Sequence, residues 1–254
     1  MIIFNRILPY ISALLTFIFY ELLLAKPVSI YFVTVFLFLN ISLSVYSLTD
    51  RKFLSKIFGH FLLSPLLFIA STTVLLLFLE NDLIKQLFII GSSIIYLLIL
   101  LNVYSFLHQP EKYQPYTLEN LLSYVNLISV FLFYASFYCF GLFLNTPTWL
   151  LTILTLIITF LITYQTLWVS KINFSRSRFF VVLISLIISE MYLSIDFLPT
   201  SYFVNAVILT TFYYFLINVS REYLLNLLNK KTVIKYSIVS IIVLILTLAT
   251  APWI

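Results

Sequence analysis

The chain has 254 residues, of which 63% are hydrophobic and only 9% are charged, with a formal net charge of +5. An ordinary globular protein is roughly 45–50% apolar and about 25% charged, so this chain lacks the polar surface that a soluble core of its size requires. The composition excludes a soluble domain, a disordered tail and a disulfide-linked secreted module. It predicts an integral membrane protein.

The apolar segments favour helices over a barrel. Only helices and closed barrels satisfy every backbone donor and acceptor inside hydrocarbon, and barrel strands show about 10 residues of alternating polarity. Here the apolar runs are long and unbroken, as over 150–169, and the chain has only three glycines. The pattern therefore predicts an all-α, polytopic transmembrane helical bundle.

Nine apolar runs are long enough to cross a hydrocarbon core, which takes about 20 residues each. The predicted spans have approximate bounds of 7–25, 28–48, 57–79, 83–107, 120–144, 147–169, 179–198, 200–219 and 233–251. No internal repeat or soluble segment interrupts them. We predict a single integral membrane domain over 1–254, and we expect the first span to be retained because it lacks a good signal-peptide cleavage site.

Most prolines mark the ends of these spans, where a residue without a backbone donor is tolerated. Pro65 is the exception, since it falls inside the third span and is expected to kink it. The kink is expected to serve packing geometry, with a gate as the alternative. The other seven are predicted at or outside span ends: Pro9, Pro27, Pro110, Pro115, Pro147, Pro199 and Pro252.

Basic residues are distributed unequally between the two predicted sides. The side that holds the N-terminus has Arg6, Arg51, Lys52, Lys56, Lys112, Lys171, Arg176, Arg178, Arg221, Lys230, Lys231 and Lys235, and the other has only Lys26 and Lys85. Basic loops stay in the cytoplasm, so we predict a cytoplasmic N-terminus and an external C-terminus near Trp253. The segment 220–232 is expected either to extend the eighth helix and contact anionic lipid, or only to fix the topology.

Glu190 is the principal candidate for a functional residue. It lies about 11 residues into the seventh predicted span, roughly 16 Å deep, where an ionisable group is costly and is expected to face the bundle interior. The turn at Pro199 brings the next span back, which makes its candidate partners Asn205, Thr210 and Thr211. Three roles remain open for this intramembrane polar site: a structural hydrogen bond, proton or ion coupling, and catalysis.

Other polar groups in the spans predict packing more than chemistry. Glu21 is expected to reach the interface or to pair locally. The intramembrane amides are expected to form interhelical hydrogen bonds. No metal, phosphate-loop or nucleophile motif occurs, so we predict no cofactor, no metal, no catalytic residue and no nucleic-acid partner. The amides are Asn40, Asn102, Asn126 and Gln165.

The C-terminal third carries a resemblance to a known family. Its residues are Ser189 and Glu190, the run Phe197 to Thr200, Asn205 and Ala206, Tyr213 and Tyr214, Arg221, and the run Ala249 to Trp253. This pattern resembles an uncharacterised family of small polytopic membrane proteins from candidate-phyla bacteria with reduced genomes. The resemblance implies a multi-pass protein of a bacterial cytoplasmic membrane, with no established activity.

Three classes of function follow from the sequence. The scarcity of converging polar groups favours a non-catalytic membrane component or assembly partner, acting in the lipid bilayer with other membrane proteins or as a homo-oligomer. The alternative is a carrier for a small solute or ion that uses Glu190. A lipid-processing enzyme comes third, because such enzymes usually group several interfacial Asp, His or Arg residues on one side.

Overall fold

The computed structural model describes residues 2–25, 30–49, 56–111 and 113–252. Within them the protein has nine helices, joined by turns and short irregular connections, and no strand. The helices are α1 Ile2–Ala25, α2 Ile30–Leu48, α3 Lys56–Leu76, α4 Asp82–His108, α5 Thr117–Leu144, α6 Thr148–Val169, α7 Phe174–Asp196, α8 Tyr202–Leu224 and α9 Lys230–Thr250. All nine are long and apolar enough to cross a membrane, which confirms the predicted fold class, whereas the orientation of the termini stays a prediction.

The chain forms two compact units, Met1–Val125 and Asn126–Ile254, so that the boundary falls within α5. In the first unit α1 packs against α2 and α4, and α3 packs against the same two helices. In the second unit α6 packs against α7, α7 against α8, and α8 against α9. The prediction of one membrane domain over 1–254 stays a prediction.

Several helices extend beyond the predicted spans. The first helix begins at Ile2, about five residues early, so Pro9 lies inside α1 and its predicted place at a span end is wrong. Pro65 lies inside α3, as predicted. The seventh helix begins at Phe174, five residues before the predicted span, because the polar residues that precede residue 179 are also helical.

The eighth helix also continues past its predicted end. It extends to Leu224 and α9 begins at Lys230. The segment 220–232 is therefore partly an extension of α8 and partly a connection to α9. Because the extension is short, most of this basic segment belongs to the turn and to the first turn of the next helix.

Within the described residues, three helix ends are followed by a residue other than glycine in the left-handed conformation. Asn145, with φ of 49°, follows the last residue of α5, and the other two follow α6 and α8. Lys171 and Asn226 have φ of 60° and 59°, and each follows the C-cap residue of α6 or α8. After α6, the N–H of Lys171 bonds to the carbonyl of Trp168 and that of Ile172 to the carbonyl of Leu167. This is the Schellman arrangement, which satisfies carbonyls left unpaired at a helix end.

Some predicted positions lie outside the described residues. They are Lys26, Pro27, Arg51, Lys52, Lys112 and Trp253.

Candidate intramembrane site

Glu190 lies on the outer surface of α7, where its side chain is exposed. The expectation that it faces the bundle interior is therefore wrong. The buried face of α7 is instead formed by Ser185, Ile188, Ser189 and Tyr192. Among the described residues the Glu190 carboxyl has no hydrogen-bond or ion-pair partner, and only its backbone carbonyl accepts a bond, from Ser194 at 3.2 Å.

The exposed face around Glu190 is a regular ridge, which we call the α7 ridge. Its members follow one another at alternating spacings of four and three residues, so they lie on one side of the helix. Every member except Glu190 is a large apolar residue. The ridge consists of Phe179, Leu183, Leu186, Glu190, Leu193 and Phe197.

Two of the three proposed partners of Glu190 bond elsewhere, and the third has no hydrogen-bond partner among the described residues. Asn205 accepts a hydrogen bond from the hydroxyl of Thr200, in the turn between α7 and α8. Thr211 donates to the carbonyl of Val207 in its own helix at 2.8 Å. The hydroxyl of Thr210 is buried without a partner. Asn205 lies in the first turn of α8, whereas Thr210 and Thr211 lie closer to the middle of that helix. Among the described residues, no hydrogen bond joins Glu190 to any of the three.

Thr210 and Thr211 instead line a cavity between α5, α8 and α9 in the second unit. Its volume is about 290 Å³, and its walls are largely apolar, with Leu127 and Phe131 on one side. Ser240 of α9 also lines it, and its hydroxyl is buried and unpartnered like that of Thr210. Thr211 and many other hydroxyls of this chain bond to a carbonyl of their own helix, so these two are exceptions. Because the two hydroxyls are buried, the surface of the cavity is almost entirely apolar and suits an apolar group.

The second unit also has a buried polar core between α5, α6 and α8. Tyr134 and Thr159 share a hydrogen bond of 2.7 Å, and Nδ2 of Asn126 donates to Oγ1 of Thr166 at 3.2 Å. Tyr213 of α8 lies near the hydroxyls of Thr163 and Thr166 without a hydrogen bond to either. Because α6 carries threonines at helical spacing, at 155, 159, 163 and 166, its sequence held a signal for this core that the search for ionisable groups missed.

The first unit has its own buried network between α1, α2 and α4. Ser12 is its centre, with Asn40 and Ser44 of α2 on one side and Tyr96 of α4 on the other. Asn40 also donates to Thr16 at 3.1 Å. The interhelical role predicted for Asn40 is therefore confirmed, and so is the one predicted for Asn126.

Two further polar residues show different outcomes. Asn102 donates to the carbonyl of Leu98 in its own helix. The hydrogen bond predicted between helices is therefore replaced by one within α4. Glu21 accepts a hydrogen bond from Gln86 of α4 at 3.2 Å, so the contact that forms is interhelical, and the predicted local pairing stays a prediction. Gln165 is fully buried in α6. Of these contacts, the bond between Glu21 and Gln86 joins two helices, α1 and α4, and stabilises their packing.

The connection between α4 and α5 contains a tyrosine–carboxylate pair. The hydroxyl of Tyr113 donates to Oε2 of Glu119 at 2.8 Å and accepts from the backbone N–H of Leu118 at 3.0 Å. Burial raises the pKa of Tyr113, and the Glu119 carboxylate raises it further, while the Leu118 N–H acts in the opposite direction. The pair ties the connection to the first turn of α5.

Within the described ranges, no group of three or more His, Cys, Asp or Glu side chains is placed to hold a metal ion. Cys139 is buried in α5 as a free thiol.

Nine apolar helices of membrane length place the described part of the chain in the class of multi-pass helical membrane proteins. Within that class the chain belongs to a family described as "Protein of unknown function (DUF5656)", whose model matches residues 50–250. The family resemblance seen in the C-terminal third is thus confirmed, and the match extends it well toward the N-terminus. Neither the curated proteins nor the solved structures include a match to this chain.

Proposed function

We propose that the protein is a non-catalytic assembly component of a bacterial cytoplasmic membrane, and that two copies associate through the α7 ridge. The observation that carries the proposal is the exposed, unpartnered carboxyl of Glu190 inside a membrane-length helix. The family resemblance and the basic cytoplasmic loops support the membrane and the orientation.

A lone carboxyl facing lipid is energetically costly. An acidic residue near the centre of a membrane helix costs about 2.5–3.5 kcal/mol on insertion scales, and such residues usually face protein or water. Glu190 lies six residues from the end of α7, about 9 Å at 1.5 Å per residue. A second helix packed against the ridge removes the carboxyl from lipid and supplies it with a hydrogen-bond partner.

The ridge geometry suits a helix of the same kind. Alternating spacings of three and four residues form the seam of left-handed helix pairs, which cross at about +20° and are common in membranes. Exposed apolar residues alone do not identify a seam, because every lipid-facing helix has them. α9, for example, exposes Ile234, Ile238, Ile241 and Ile245 at the same spacings. The carboxyl distinguishes α7 from α9.

A second copy of this chain fits the ridge because a two-fold axis brings the same residue of each helix together. Two carboxyl groups can hydrogen-bond to each other through a shared proton, so a second Glu190 can supply the hydrogen-bond partner in place of a basic residue. Membrane hydrogen bonds of this kind contribute about 0.6 kcal/mol on average and up to about 1.7 kcal/mol. The apolar ridge residues on both sides supply the remaining contact.

Cysteine cross-linking in membranes tests the proposal. We expect Leu193→Cys, in a Cys139→Ala background, to form a disulfide-linked dimer under mild oxidation. Ile241→Cys on α9 is the matched control and should remain monomeric, although Ile241 is 53% exposed and Leu193 only 37%. Equal cross-linking at both positions, or none at Leu193→Cys, would show that the α7 ridge is not a homodimer seam.

Substitution of Glu190 tests the role of the carboxyl. Glu190→Gln keeps a donor and an acceptor, so we expect the Leu193→Cys cross-link to persist, whereas Glu190→Leu should reduce its yield several-fold. A dimer lost in the Gln variant would indicate that a charged carboxylate pairs with a basic partner instead. A proton flux in liposomes that Glu190→Gln abolishes at unchanged stability would favour the carrier over the assembly component.

A further inference from the structure

A small polar cleft lies in the first unit, between the beginning of α1 and the end of α4. Its volume is about 230 Å³, and nearly all the lining side chains are polar. Arg6 and Tyr10 come from α1, while the other residues come from the last turns of α4 and from its C-cap. The cleft is lined by Arg6, Tyr10, Leu101, Tyr104, Ser105 and Gln109.

The polar groups of the cleft are largely unengaged. Arg6 is exposed and pairs with no carboxylate in the part of the chain that the structure describes. The hydroxyls of Tyr10 and Ser105 likewise take part in no hydrogen bond there. Among the described side chains of the lining, the one hydrogen bond runs from Gln109 to the hydroxyl of Tyr104, at a long 3.5 Å. The cleft therefore presents a guanidinium and several hydroxyl donors to whatever enters it.

The walls of the cleft are held in place by neighbouring contacts. Asn5 is next to Arg6, and its Nδ2 lies 3.1 Å from Nε2 of His108 at the end of α4. The hydroxyl of Ser47 in α2 donates to Oδ1 of Asn5 at 3.3 Å. The His108 ring also packs edge-on against Tyr104, with ring centroids 5.2 Å apart. These contacts fix the two helix ends relative to each other, so the donors are preorganised.

An arginine beside hydroxyl and amide donors, with no acidic residue in the lining, is complementary to a phosphate group. The planar guanidinium binds phosphate oxygens through two parallel hydrogen bonds. Tyrosines at the ends of membrane helices lie at headgroup depth, and basic pockets between helices on the cytoplasmic side bind lipid headgroups. Arg6 lies on the predicted cytoplasmic side.

We propose that this cleft binds the phosphate group of an anionic lipid, with Arg6 as the principal ligand and Tyr10 and Ser105 as further donors. The site is independent of the α7 ridge and of the assembly proposed for it. The same phosphate chemistry is available from inorganic phosphate, so the experiment includes both sources.

The test measures thermal unfolding of the purified full chain in a neutral detergent. The detergent is titrated with phosphatidylglycerol in one series and with inorganic phosphate in another. We expect phosphatidylglycerol to raise the melting temperature of the wild type. In Arg6→Gln the half-saturating lipid concentration should increase at least about tenfold, the scale of one lost charge-assisted hydrogen bond. Arg6→Lys should fall between the two.

The matched control is Arg178→Gln, which removes an exposed arginine of α7 on the same predicted side but outside the cleft. It should respond to lipid like the wild type. If Arg6→Gln does not fold, the double variant Tyr10→Phe and Ser105→Ala replaces it. This variant removes the two further donors, so its half-saturating lipid concentration should also increase. Equal weakening in the Arg6 and Arg178 variants would overturn the site, and stabilisation by inorganic phosphate as strong as by lipid would overturn the assignment to a lipid.

Discussion

Ser12 and Asn40 are joined by two hydrogen bonds that run in opposite directions. The hydroxyl of Ser12 donates to Oδ1 of Asn40 at 2.9 Å, and Nδ2 of Asn40 donates to the carbonyl of Ser12 at 3.0 Å. Because Ser12 also contacts Tyr96 and Ser44, one small side chain links three helices of the first unit. A hydroxyl in this position matters for packing far more than its size indicates.

The first prediction concerns this network. Ser12→Ala leaves the polar atoms of Asn40, Ser44 and Tyr96 with fewer partners, so we expect the free energy of unfolding to fall by about 1–2 kcal/mol. Titration of the protein with a denaturing detergent measures the change. The control is Thr34→Ala, since Thr34 bonds only to the carbonyl of Ile30 in its own helix and should change stability by less than about 0.5 kcal/mol. Similar losses in both variants would contradict the central place of Ser12.

The second prediction concerns the cavity between α5, α8 and α9. Thr210→Val removes a buried hydroxyl that has no partner and keeps the shape of the side chain, so we expect stability to rise by about 1 kcal/mol. Thr211→Val removes a hydroxyl that bonds to Val207 and should be neutral or slightly destabilising. The two melting temperatures are compared in the same detergent. A loss of stability in Thr210→Val would contradict this prediction. It would mean that the Thr210 hydroxyl forms a hydrogen bond in the membrane, for example to a molecule in the cavity.

The third prediction concerns pH and Tyr113. Because burial and Glu119 raise the pKa of Tyr113 above its ordinary value of 10.0, its contribution to stability is fully present below pH 10. The contribution is lost as the pH rises through the higher pKa of the folded protein. Tyr113→Phe should cost about 0.5 kcal/mol near pH 8, the low end for a hydrogen bond because the site is partly exposed.

The measurement for Tyr113 is detergent unfolding from pH 8 to 11. The difference between wild type and Tyr113→Phe should shrink toward the alkaline end. A difference that stays constant over this range would show that the hydroxyl does not titrate as a member of the pair.

The fourth prediction concerns topology and uses the two ends of α6. Cysteines introduced at Thr148 and at Asn173, just beyond α6, should react with an impermeant reagent from opposite sides of the membrane, with Asn173→Cys on the cytoplasmic side. Both positions are exposed, and the side chain of Asn173 caps no helix. The background carries Cys139→Ala. Labelling of both cysteines from one side would eliminate the nine-span orientation.

Hydropathy predicted the helices well because a membrane span has a required length and few charges. It misplaced ends where a helix continues into the interface, as at Phe174, where Arg176 of α7 bonds to Asn226 at 2.9 Å. The apolar run begins only at residue 179, so hydropathy does not show that the helix already includes the polar residues before it. The protein instead places a charged turn of helix beyond the hydrocarbon.

The direction in which a side chain faces was much harder to predict. In a helix that is apolar on all sides, the periodicity that distinguishes the inner face from the outer face is weak. Glu190 was therefore placed on the wrong face, while the buried face of α7 holds Ser185, Ser189 and Tyr192. Small hydroxyl residues at helical spacing marked the buried face better than the ionisable residue did.

The polar core of the second unit has a consequence for the order of synthesis. Asn126 and Tyr134, the partners of Thr166 and Thr159, precede α6 in the chain, so they reach the membrane before these threonines emerge from the ribosome. Tyr213 arrives only after α7 has been made. The two hydrogen bonds between α5 and α6 can thus form within a newly made pair of helices, and α8 is added later to that pair.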